Sequence, residues 1–294
     1  MRNTAIALTL LIIFSAGVYA QSPPTLRIVT ETPNLPSELY YGDIKVKPLR
    51  LRPGTTIPIT IDDSDFFVHQ HYIDFLSRFA EPQGFQDWMN YLNSEQQRCP
   101  TDPECLHQAR ITASAGFFGS QEFNIKGGYV FRFYKASLGR LPEYQEMVTG
   151  MNAVTGQTAD ETLQKKTQFA IDWVLRPDFL AAFPRSLSPT EFVDNILAAA
   201  GVGLANRTQI INDLAANNND AGRAVAMRAI ADSTEVTNKE FNPSFVYMQY
   251  VGYLRRKPEP EGYNNWLTYL NANPTDFRTM VRGFMDSTEY RARF

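Results

Sequence analysis

Six side chains, spaced with the period of a repeat, carry the clearest chemical signal in this sequence. Arg78, Arg140 and Arg256 each close a first helix, and Glu122, Asp178 and Glu289 each open a last helix of the same segment. A guanidinium and a carboxylate at such ends can pair across two helix termini, Arg78 with Glu122, Arg140 with Asp178 and Arg256 with Glu289, and so fix where those helices meet. The alternative is three independent surface arginines at helix C-termini, where the dipole favours cations. Neither reading makes these groups catalytic.

Reactive constellations are otherwise scarce. There are 3 His and 2 Cys, so a multi-ligand zinc site would consume nearly all of them. His69 and His71 lie two apart on an expected helix, about 200° around its axis, and share no face. His107 stands alone. His-Glu-x-x-His and Gly-x-Ser-x-Gly are absent. The run Gly201 to Asn206 lacks a third glycine and follows a helix, so it does not read as a nucleotide loop. Asp62, Asp63 and Asp65 begin like a calcium loop, but Phe67 and Val68 stand where an oxygen and a glycine are needed, which leaves them as helix caps. Asn217 to Gly222 is oxygen-rich and reads as a solvated turn that could hold a weak ion. The expectation is therefore no catalytic residue, no metal site and no cofactor.

The two cysteines, Cys99 and Cys105, are separated by Pro-Thr-Asp-Pro-Glu. A Pro-rich turn of that length brings Cα atoms within the ~4.4–6.8 Å that a bridge requires. The expectation is a local structural disulfide; a redox dithiol more often reads C-x-x-C. Residues 1–20 supply the oxidising context, with Arg2, an apolar run from Ala5 to Gly17, and Val18-Tyr19-Ala20 as a cleavage site. That is the form of a secretory signal peptide, and its apolar run is short of the ~20 residues a spanning helix needs. No later stretch is long and apolar enough to cross a bilayer. A charge of -3, from 28 bases and 31 acids, offers nothing for nucleic acid or anionic lipid.

The elements that must position these groups come in copies. Phe67–Asn93 aligns with Phe245–Asn271 without a gap, and twelve of 27 positions are identical, among them Tyr72/Tyr250, Arg78/Arg256, Gly84/Gly262 and Trp88/Trp266. A third copy starts at Tyr129 and a degenerate one at Phe192. The closing stretch recurs too, as Ser120-Gln121-Glu122-Phe123, Arg176-Pro177-Asp178-Phe179, Ser233-Thr234-Glu235-Val236 and Ser287-Thr288-Glu289-Tyr290. The first unit is longer than the last between Asn93 and Phe118, where both cysteines sit. Apolar residues at Phe67, Val68, Tyr72, Phe75, Leu76 and Phe79, and at Phe85, Trp88, Met89 and Leu92, follow helical spacing. Ser188-Pro189-Thr190-Glu191 is a capping box, and Ser120, Ser233 and Ser287 are cap candidates. The tryptophans and their neighbours read as packing residues, because units of this size bury aromatic faces best by stacking.

Leu138-Gly139-Arg140-Leu141-Pro142, the run Leu254 to Gly262, Trp266 and the closing Ser287, Glu289 and Tyr290 resemble the bacterial domain-of-unknown-function 4214 family. Phe277 to Phe294 also resembles the end of the phycobilisome linker domain, a helical assembly module. Phe79-Ala80 departs from the family pattern, which favours a proline there. The resemblance implies an extracellular or surface-associated helical protein and supplies no reaction.

The expected fold is all-α. Tandem three-helix units pack as a helical repeat array, with a signal peptide at 1–20, an extended or flexible Pro-rich segment at 21–62, a first repeat pair at 63–185 and a second at 186–294. The expected function is a secreted, non-enzymatic scaffold or adhesion module at the cell surface or in the extracellular matrix. Its expected partner is a protein or a cell-envelope component, not nucleic acid. The competing reading is an extracellular glycan or small-ligand binder; an unrecognised hydrolase comes last, since paired acids such as Glu259 and Glu261 share one polar turn without a second wall.

Overall fold

The computed structural model describes residues 26–29, 38–41, 44–45 and 51–294, apart from 53, 77, 121, 122 and 157. Residues 1–20, expected to be a signal peptide, and Glu122 lie outside the described residues. Within the lead-in, β1 (Leu26–Val29), β2 (Glu38–Tyr41) and β3 (Ile44–Lys45) form an antiparallel meander, with Leu26 opposite Tyr41 and Tyr41 opposite Ile44. From Ser64 onward the chain is helical.

The first unit comprises α1 (Ser64–Leu76), α2 (Pro82–Arg98) and α3 (Pro103–Gly119). The second opens with a rod, α4, made of the π turn Asn124–Gly128, the α segment Tyr129–Phe133 and the π turn Tyr134–Leu138. It continues through α5 (Tyr144–Val154), α6 (Ala159–Val174) and the short α7 (Pro177–Ala182). The third holds α8 (Pro189–Ala200), α9 (Arg207–Ala216), α10 (Asp220–Ala231) and α11 (Thr234–Lys239). The fourth holds α12 (Phe241–Gln249, followed by the π turn Tyr250–Leu254), α13 (Pro260–Ala272), α14 (Phe277–Met285) and α15 (Thr288–Arg291). Each full unit is thus three helices plus a short closing one.

Local signals explain the boundaries. Pro occupies the first turn of α2, α3, α7, α8 and α13, where its missing N–H costs nothing. The Ser188–Glu191 box opens α8, and Ser233 and Ser287 accept Val236 N–H and Tyr290 N–H. Ser120 accepts Phe123 N–H at 3.1 Å. Asp63 precedes α1, but its carboxylate accepts Thr60 N–H at 2.7 Å and Arg52 at 2.6 Å, so it holds the lead-in rather than a helix amide. The apolar stripe of α1 stops at Leu76. Phe79, expected to continue it, lies beyond the helix end and is 80% exposed.

Aromatic rings fill one continuous core. Trp173 is fully buried and meets Tyr134 edge-on at 4.6 Å. Trp88 and Trp266 sit on the outer helices α2 and α13, half-buried, where Trp88 stacks on Phe117 and Trp266 leans on Phe284. Gly116 and Gly283 leave room for those two indoles.

The units do not pair in chain order. α3 of the first packs on α14 of the last, and α6 of the second packs on α10 of the third. α4 then touches α8, α10 and α12, which joins the halves, so the boundary expected at 185/186 does not separate two bodies. The physical reason lies at Gly252. Phe75 of α1 presses its ring onto the backbone there, in a space that any Cβ would occupy, while meeting Tyr253 edge-on at 4.9 Å. Gly252→Ala is expected to cost about 1–3 kcal/mol by overpacking. Gly119→Ala, with nothing within 4 Å of its Cβ position, is the neutral control. Urea unfolding of both variants measures the difference.

Candidate functional site

The recurrent arginines build a repeated turn. In the first, second and fourth units a tyrosine near the end of the first helix carries the arginine six residues later over its ring, at 4.9 Å (Tyr72, Arg78), 4.9 Å (Tyr134, Arg140) and 5.2 Å (Tyr250, Arg256). Each Nη1 also donates to the next carbonyl: Phe79 at 3.1 Å, Leu141 at 3.2 Å and Lys257 at 3.2 Å. The stacked guanidinium is thereby held facing a carboxylate. Arg256 pairs with both oxygens of Glu289, at 2.6 and 3.0 Å, and also meets Glu259. Arg140 lies 3.4 Å from Asp178. Arg78 meets Glu81; its expected partner Glu122 is outside the described residues.

The second unit adds two groups that the repeat comparison did not single out. Glu146 receives Arg140 at 2.7 and 2.8 Å, and Arg176 bridges Asp178 at 2.7 Å, Glu146 at 3.3 Å and Tyr134 Oη at 3.1 Å. Hydrogen bonds from Arg140 and from Arg176, respectively, hold the Glu146 and Asp178 carboxyls down at about 2. The signal for Glu146 was present in the sequence as the Glu143/Glu146 capping box six residues past Arg140. These side chains remain a quarter to two-fifths exposed, so each pair contributes little energy and mainly sets geometry.

A second polar network lies largely buried between the first and last units, with Asp74 2% and its arginines 16% and 11% exposed. Asp74 of α1 accepts Arg293 Nη2 at 2.8 and 2.9 Å and Arg255 Nη2 at 3.2 Å. Arg255 occupies the left-handed region at φ 52°, which glycine occupies at the matching Gly139 of the second unit. One turn before Asp74, His71 bonds Phe67 O at 2.9 Å through Nδ1 and Ser114 Oγ at 2.8 Å through Nε2, and Ser114 meets Tyr253 Oη. A carbonyl can only accept, so Nδ1 carries the proton and the chain runs from Tyr253 O–H to Ser114 to Nε2. Burial drives His71 down to about 4. The network joins the first unit to the last.

The remaining ligand-like residues are dispersed. His69 stacks on Phe85 at 4.4 Å, and His107 Nε2 lies 2.9 Å from Asp286. Cys99 and Cys105 stand at disulfide distance, with Cα atoms 6.1 Å apart, and Glu95 is their neighbour. In the turn from Asn217 to Gly222, Asn219 accepts Gly222 N–H to cap α10 and Asp220 binds Arg185 through both oxygens at 2.9 Å. Those oxygens serve the fold.

Among the described residues, a groove lies open between α6 and α10. It encloses about 480 Å³ and is lined by Thr167, Ala170, Ile171, Ala224, Val225 and Ala229, with Arg228 and Asp232 at one end. A smaller hollow of about 110 Å³ lies across Val225, against α9. Val225 itself is 62% exposed. None of the three tryptophans lines either space. Counting back from the capping serines Ser287 and Ser233 places Arg278 of α14 at Ala224 of α10. In the α3/α14 pair the exposed Arg278 donates to Thr112 Oγ1 at 2.6 Å and to Gln108 Oε1 at 3.0 Å, whereas Ala224 is buried and makes neither contact.

No helix among the described residues is long and apolar enough to cross a membrane. Comparison with curated proteins and with solved structures finds no match. From the cap of α10 to the end of the chain, residues 219–294 match the family model described as Domain of unknown function (DUF4214).

Proposed function

We propose that this protein is an exported, non-enzymatic helical scaffold or adhesion module of the cell surface or extracellular matrix, and that the α6/α10 groove is where it holds its partner, a cell-envelope component. The groove carries this reading. Most rings and the recurrent arginines are consumed in packing the four units, whereas here an apolar concavity rimmed by polar groups stays open. The secretory form of residues 1–20 and a cysteine pair at disulfide distance support an oxidising compartment outside the cytosol.

Val225→Asp tests it. Val225 lines the groove and is 62% exposed, so this variant is expected to fold with unchanged thermal unfolding. Its retention on washed cell-envelope fractions is expected to fall at least roughly tenfold, the effect of losing a hydrophobic anchor at an interface. Retention equal to that of the parent chain would remove the groove from the function. Retention on purified glycan that ignores the substitution would favour the glycan-binding alternative.

A further inference from the structure

The two inner helix pairs are copies, and their difference in charge is as informative as their difference in shape. Aligning Arg176 with Ser120 puts Lys166 of α6 at Arg110 of α3, and aligning Ser233 with Ser287 puts Arg228 and Asp232 at Arg282 and Asp286. The shared pair is conserved in geometry: Arg282 Nε lies 3.4 Å from Asp286 and Arg228 Nε lies 3.6 Å from Asp232. In the α3/α14 pair the cations receive further carboxylates. Glu104 binds Arg282 at 2.8 Å, and Asp62 of the lead-in lies 3.9 Å from Arg110.

The α6/α10 pair has no such supply. Arg228 turns to Thr167 Oγ1 at 2.8 Å, and Arg132 of α4 reaches Asp232 at 2.8 Å. Lys166 lies over the Tyr129 ring at 4.2 Å. No carboxylate among the described residues comes within ion-pair distance of it. Asp232 pairs with Arg132 and Arg228 at one end of the groove, and Lys166 stands close enough to feel all three, so this cluster holds three cations and one carboxylate. Burial, with Arg132 and Arg228 adding to it, lowers the Lys166 ammonium to about 8, still protonated at neutral pH. An apolar trough that ends in uncompensated positive charge is complementary to a molecule with an aliphatic body and an anionic head.

We propose that the α6/α10 groove binds an aliphatic carboxylate, its chain along Ala170, Ile171, Val225 and Ala229 and its head at Arg228, with Lys166 adding positive charge from beside the lining. This rests on the groove being the contact surface, and it names the chemistry that the groove takes.

The test is calorimetric titration of the full exported chain with sodium dodecanoate, with dodecanol as the uncharged control and phosphatidylglycerol vesicles as the membrane arm. Expected are one saturable site for dodecanoate and at least roughly tenfold weaker binding of dodecanol, the scale of a charge-assisted contact. Lys166→Met removes the charge and keeps the stem over Tyr129, and it relieves a desolvated ammonium, so it folds. It is expected to weaken dodecanoate roughly tenfold and leave dodecanol unchanged. Val225→Asp, at an exposed lining residue, is expected to weaken both. Equal binding of dodecanoate and dodecanol, an indifferent Lys166→Met, or binding only to vesicles would each overturn the proposal. If dodecanoate fails while Val225→Asp still releases the chain from envelope fractions, the carboxylate falls and the contact surface stands. If both fail, the groove itself is excluded.

Discussion

Asp74→Asn is expected to destabilise the folded chain by about 3–5 kcal/mol, the cost of removing one partner from a buried ion pair. Asp74 has 2% of its side chain exposed, and it faces two guanidiniums that come from far along the chain. Arg293 binds both its oxygens and also donates to Gly252 O at 3.1 Å and Tyr253 O at 2.6 Å. Arg255 holds a left-handed backbone conformation that costs about 1–2 kcal/mol for a residue with a Cβ. Neutralising Asp74 leaves both charges buried and unpaired. Arg293→Leu in the same background removes one of them, so the double variant is expected to be more stable than the sum of the single effects predicts. Chemical denaturation of the four chains measures the cycle. A loss below about 1 kcal/mol for Asp74→Asn would mean that water reaches the clasp.

Stability is expected to fall by about 3 kcal/mol between pH 6.5 and 4, because of His71. Its folded value is depressed from the ordinary 6.5 to about 4. The unfolded chain therefore binds more protons between those values. The contribution is fully present above pH 6.5 and is lost as pH falls toward 4. Burial makes protonation costly. The Phe67 carbonyl on Nδ1–H and the Asp74 carboxylate favour the charged ring and Arg293 opposes it, while Ser114 and Tyr253 direct their protons toward Nε2. Arg255 and the buried Tyr290 hydroxyl complete the polar environment around Asp74. Asp74 itself is held below the ordinary carboxylate range by its arginines, against its own burial, so its contribution is lost only at lower pH. Denaturation midpoints at pH 7.5 and 4.5 are expected to differ for the parent chain and to converge in His71→Gln, which retains one donor and one acceptor. A slope unchanged in that variant would assign the acid sensitivity elsewhere.

Much of the architecture was legible because it is local. The periods at Phe67 to Leu76 and Phe85 to Leu92, the capping box at Ser188 and the Pro starts place helices where they form, since caps and stripes act within a few residues of chain. The arginine turns were legible as spacing, with Arg140 near Asp178 and Arg256 on Glu289. Phe79 was misplaced because periodicity does not reveal where a helix stops, here at the turn in which Arg78 folds back over Tyr72. Glu146 and Arg176 were passed over because they belong to one unit and leave no mark in a comparison of copies.

By itself the sequence determined a helical repeat protein with a closing cap on each unit and a cysteine staple in the first, because each of those features depends on neighbours a few residues away. Only the tertiary structure decided that the first unit pairs with the last, that Asp74 and His71 face Tyr253, Arg255 and Arg293, and that a groove stays open between α6 and α10. Such meetings are set by which helix faces bury the most apolar surface together, a sum over the whole chain that no single segment encodes.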